Sequence, residues 1–80
     1  MKRLFAETNA GSMVLFVDSK KMAYIVEEKS FDERLTLEVA KAADYSNLDN
    51  CPTAQDCKDS MTFGVIVKFN PDDFETITEF

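Results

Sequence analysis

Met61-Thr62-Phe63-Gly64-Val65-Ile66-Val67-Lys68-Phe69 is the stretch on which the fold of this chain turns. In an extended backbone, Met61, Phe63, Val65, Val67 and Phe69 fall on one side. Thr62, Gly64, Ile66 and Lys68 fall on the other. No other segment has so strong a strand pattern, and the turn residues Asn70-Pro71-Asp72-Asp73 close it. Apolar side chains on both sides mark it as the expected central strand. Gly64, on the weaker side, either lets another backbone approach closely or marks a bulge.

Further strands are expected toward the N-terminus. Lys2–Glu7 reads as a first strand, with Leu4 and Ala6 opposed to Arg3 and Phe5. Asn9-Ala10-Gly11-Ser12 is a turn in which Asn9 and Gly11 tolerate positive φ. Met13–Val17 is a second strand, apolar on both faces. The polar run Asp18-Ser19-Lys20-Lys21 connects it to a third, Met22–Glu27, where Tyr24 and Val26 oppose Ala23 and Ile25. Connections this short are those of hairpins, so these strands form an antiparallel meander.

Ser30-Phe31-Asp32-Glu33 fits a capping box, and a helix from it would align Phe31, Leu35, Val39 and Ala42, with Leu37 opposite. The alternation in Arg34–Val39 is that of a strand, whereas Ala40-Lys41-Ala42-Ala43 is strongly helix-forming. The reading adopted is a helix over at least Thr36–Asp44. Residues 45–60 are polar and rich in turn formers, and Thr53 is placed to cap a short helix carrying Ala54, Cys57 and Met61. Asn70-Pro71-Asp72 suits both a type I turn and a helix start. Beyond it, Phe74, Ile77 and Phe80 have helical spacing, but the β-branched run Thr76-Ile77-Thr78 favours a final strand.

The fold class is therefore α+β: one domain with a small, mainly antiparallel sheet of four to five strands and one or two short helices on one face. One short helix covers one face of a sheet, yet two strands are apolar on both. The second face is left half-wet, covered by residues 45–60, or buried against another chain, and the expected solution is a homodimer.

Composition narrows the chemistry. The chain has no histidine, which removes the commonest general base and metal ligand. Cys51 and Cys57 stand alone at a spacing unsuited to zinc, and reduced thiols are the expectation. A calcium loop begun at Asp44 fails at Leu48, Asp49 and Gln55. Glycine is limited to Gly11 and Gly64, so a glycine-rich phosphate loop is excluded. Adjacent acids such as Glu27/Glu28 and Asp72/Asp73 are not the separated carboxyl pair of acid–base catalysis. No catalytic residue, cofactor or metal ligand is assigned.

Net charge is −6, from 15 acids and nine bases. Residues 1–41 are balanced, so the whole excess lies in residues 42–80, where eight acids face Lys58 and Lys68. Such a half does not suit a nucleic-acid backbone, which needs Lys and Arg, but it does suit a basic protein. The N-terminus lacks the apolar run of a secretory signal, and no stretch approaches the ~18 apolar residues of a membrane span. A cytoplasmic location without membrane contact is expected. These observations favour a small, acidic, non-catalytic interaction module or accessory subunit. The alternative is an acidic mimic of nucleic acid that occupies a basic groove. The candidate interaction surface is Gly64 and Ile66, with Asp72, Asp73, Glu75 and Glu79 as an acidic rim.

Overall fold

A computed structural model describes residues 1–43, 45, 55, 65, 66 and 68–80. Its elements are β1 (Lys2–Thr8), β2 (Gly11–Val17), β3 (Ala23–Ser30), α1 (Leu37–Ala42), β4 (Val65–Ile66), a 3-10 turn (Pro71–Asp73) and β5 (Thr76–Glu79). The strands form one sheet in the order β4-β3-β2-β1-β5, antiparallel at every pairing. Four strands have four or more residues, and β4 adds a two-residue pairing with Ala23 and Tyr24. The expected meander is present, and the C-terminal segment is the strand that β-branching favours.

The Met61–Phe69 expectation needs correction. Within it, the described strand residues are Val65 and Ile66, and they lie at one end of the sheet. Lys68 is in a bend, and Phe69 lies outside any strand. Met61–Gly64 and Val67 lie outside the described residues. Among the described strands, the central one is β2, with Val14, Leu15 and Phe16 all fully buried. A run apolar on both faces marks a strand covered on both sides, and Met13–Val17 meets that condition in five residues.

One face of the sheet presents Phe5, Val14, Phe16 and Tyr24 to Leu35, Ala40 and Tyr45. The other presents Leu4, Ala6, Leu15, Val17 and Ala23, against which Met13, Ile25, Phe69, Phe74 and Ile77 pack. The second face thus has cover from its own chain. Phe69 and Phe74 stack at 6.0 Å between ring centroids, and the Phe69 N–H donates to the Lys21 carbonyl at 2.8 Å.

The helix begins where expected, with Thr36 as its cap, but is shorter at its C-terminal end. β3 runs to Ser30, whose partner is Gly11, so its backbone already belongs to the sheet. The Ser30 carbonyl, instead of its hydroxyl, accepts from the N–H groups of Glu33 and Arg34 at 3.2 and 3.1 Å. Arg34 then takes φ +33°, which interrupts any helix begun at Ser30. The helix starts afresh at Thr36, whose hydroxyl accepts from the Val39 N–H at 3.3 Å. It stops at Ala42, with Ala43 extended. Its inward residues are Leu37 and Ala40; of the expected stripe, Leu35 is buried just ahead of the helix, while Phe31 and Val39 are about half exposed and Ala42 is exposed.

Three local devices hold these parts in register. Gly11 lies so close to β3 that an added Cβ would meet the Lys29 carbonyl oxygen and stand 3.1 Å from Ser30 Cα. Buried Ser12 donates to the Leu35 carbonyl at 2.8 Å and ties β2 to the segment leading into α1. Asp18 closes the β2–β3 hairpin by accepting from the N–H groups of Lys20 and Met22, each at 2.9 Å, and from the Tyr24 hydroxyl at 3.1 Å. Burial works to raise its carboxyl, but these bonds and the Lys20 charge outweigh it and hold the group below the usual range.

A β-bulge completes the arrangement. Val14 pairs with Glu27 but Leu15 with Ile25, so Val26 is the extra residue. The bulge turns Glu27 toward the helix side, where it accepts from the Tyr45 hydroxyl at 2.9 Å. Burial, then the bond and charge of Glu27, push the Tyr45 phenol up to about 12. Its ring stands edge-on to Phe16 at 5.9 Å.

Candidate functional site

β5 is the strand at which the order of the sheet ends, and it pairs with β1 on one side. The Phe80 N–H donates to the Arg3 carbonyl at 3.1 Å, and Thr78 and Thr76 stand opposite Phe5 and Glu7. Hydrogen-bonding direction alternates along an antiparallel strand. The main-chain groups of Thr76, Thr78 and Phe80 therefore face β1, and those of Ile77 and Glu79 face away. Side chains alternate in the perpendicular direction. Ile77 packs on the second face and Phe80 on the helix face.

A groove flanks this strand on each face. On the helix face, a cavity of about 430 Å³ reaches from Thr76 and Thr78 across Phe5 and Glu7 to Phe31, Arg34 and Leu35. Its lining holds three carboxylates, Glu7, Glu38 and Glu75, against one cation, Arg34. The Thr76 hydroxyl donates to Glu7 Oε2 at 2.7 Å and draws that carboxylate over β5. The Glu75 N–H donates to the Glu7 carbonyl at 2.8 Å and fixes the start of the strand. The Arg34 guanidinium lies over the half-exposed Phe31 ring, 5.4 Å from its centroid.

On the second face, a cavity of about 530 Å³ has Leu4, Val17, Phe69 and Ile77 in its lining, with Lys2, Lys21, Asp18 and Glu79 supplying balanced charge. Among the described residues, no group of three or more Cys, Asp or Glu side chains is placed to hold a metal ion. No helix formed by them is long and apolar enough to cross a membrane.

The described residues of the surface expected from sequence lie in separate places. Gly64 lies outside the described residues, and Ile66 pairs with Ala23 at the end of the sheet remote from β5. Asp72 and Asp73 are exposed on the 3-10 turn, where their N–H groups donate to Asn70, at its side-chain oxygen and its carbonyl. Glu75 lines the helix-face groove and Glu79 the opposite one, so β5 separates these two acids.

Sequence pattern alone does not mark Glu7, Glu38, Thr76 and Thr78 as site residues. Period-two alternation puts Glu7 beside Phe5, but only the β1–β5 register brings it to Thr76, 69 residues away. Cys51, Cys57, the acids Asp44, Asp49 and Asp56, and the Thr53 cap lie outside the described residues. Gln55, within that region, is helical and exposed. Comparison with protein-family models, with curated proteins and with solved structures finds no match.

Proposed function

We propose that this is a non-catalytic interaction module that takes an extended segment of a partner onto the outer edge of β5. The observation behind this reading is the combination of outward main-chain groups at Ile77 and Glu79 with a groove on each face of the same strand. In strand addition, the main chain supplies affinity and alternate side chains enter pockets on either face. Two of the usual guards against pairing, Lys and Pro, are missing from Thr76–Glu79. At four residues it offers few main-chain bonds, so the grooves must contribute to recognition.

A homodimer is the second reading, and its route changes. The apolar second face that suggested it is packed by Phe69, Phe74 and Ile77 of the same chain. Twofold pairing of two β5 edges, centred on Thr78, is the route this edge offers.

The test is a pair of proline variants screened against a displayed library of short peptides. Glu79→Pro removes an outward N–H and is expected to keep the fold while abolishing binding of selected peptides. Thr78→Pro removes an inward N–H and is expected to unfold or severely destabilise the sheet. Peptides that bind wild type and Glu79→Pro equally well would sink the reading.

A further inference from the structure

We propose that the segment received by β5 is basic, with a Lys or Arg beside Thr76 that reaches the Glu7 and Glu75 carboxylates in the helix-face groove. This rests on the strand-addition reading above and names the chemistry of its partner.

Geometry brings the cation within reach. An added strand runs about 4.8 Å from β5, and its alternate side chains stand on the helix face. Glu7 belongs to β1, one strand further in, but its bond to Thr76 draws the carboxylate back over β5. A Lys stem of four methylenes or an Arg of three spans that gap while lying along Thr76 and Thr78. Glu75 lines the same groove at the start of the strand, and Glu38 lines it as well.

Charge selects among occupants. The groove lining sums to −2, three carboxylates against Arg34, and Arg34 is already placed over Phe31. Two further cations stand on this face: Arg3 at the opposite end of β5, 5.6 Å from the Phe80 ring centroid, and Lys29 on β3 opposite Ser12, 3.8 Å from the Glu33 carboxylate. An acidic or neutral segment would leave the carboxylates uncompensated. A second copy of β5 would bring only Thr76, Thr78 and Phe80 to this face, and two chains of net charge −6 repel. A basic segment meets both the local and the overall charge.

The experiment uses three end-blocked peptides of alternating Val and Lys, Val and Gln, or Val and Glu, titrated into the full chain by NMR at low and high salt. The Lys peptide is expected to bind about tenfold more tightly than the Gln peptide at low salt, with the margin shrinking at high salt, and the Glu peptide more weakly still. In the Glu7→Gln/Glu75→Gln double variant, the amide oxygen introduced in place of the Glu7 carboxylate still accepts from Thr76. There the Lys preference should fall to within about twofold. Equal binding of Lys and Gln peptides, both lost in Glu79→Pro, would overturn the cation proposal and leave the strand-addition reading standing. Binding unaffected by Glu79→Pro and by N-methylation of alternate peptide amides in either register would overturn both. Wild type that dimerises through β5 and binds none of the peptides would assign the edge to a second copy and overturn the basic partner.

Discussion

Asp18 shows how one side chain sets a hairpin. It takes two backbone N–H groups and a tyrosine hydroxyl, so the β2–β3 connection is organised around an ionised carboxylate. Because its pKa is lowered on folding, the stabilisation is complete above the unfolded value of about 4 and is lost as pH falls through the folded value. Asp18→Asn is expected to cost about 1–2 kcal/mol at neutral pH, the usual worth of hydrogen bonds to a charged group discounted for partial exposure. Urea unfolding of both proteins should show that difference shrinking below about pH 4. A gap independent of pH would mean that the charge is not what closes the hairpin. The sequence marks Asp18 as a turn residue. It does not show that Tyr24 folds back onto it.

Among elements, α1 is the most dependent on its neighbours. Six residues are too few for a stable isolated helix, so α1 persists because Leu37 and Ala40 pack on the sheet and Thr36 caps it. Thr36→Ala should lower stability by about 1 kcal/mol in chemical unfolding, and Thr36→Ser should restore most of it. No change with alanine would show that packing alone holds the helix. The capping-box pattern at Ser30 starts no helix, and the helix begins at Thr36, where the adopted reading placed it. Ser30 is the last residue of β3; its carbonyl closes a single turn with the Glu33 and Arg34 N–H groups, and the positive φ of Arg34 stops that turn from continuing as a helix. β5 was legible from its β-branched run, but its position beside β1 was not, since strand order depends on contacts between distant residues.

For the whole molecule, the central question posed by composition is how a short chain covers two apolar faces. α1 and Tyr45 cover one, and Phe69, Phe74 and Ile77 pack on the other. Phe69→Ala should therefore cost about 3 kcal/mol and increase binding of a hydrophobic dye together with self-association in sedimentation. If dye binding and sedimentation stayed as in wild type, cover by Phe69 would not be what keeps that face apart from other chains.

The sequence by itself determined the antiparallel meander, the final strand, the capped turn at Asn70–Asp73 and the acidity of the second half, because each follows from local periodicity, turn chemistry or counting. It also placed Met61–Phe69 at the centre of the sheet. The tertiary structure decided otherwise, since alternation records which side chains are apolar but not which strands are neighbours. That ordering puts β2 in the middle and Val65–Ile66 at one end. At the other end, it brings Glu7, Glu75 and Thr76 together beside an outward-facing strand.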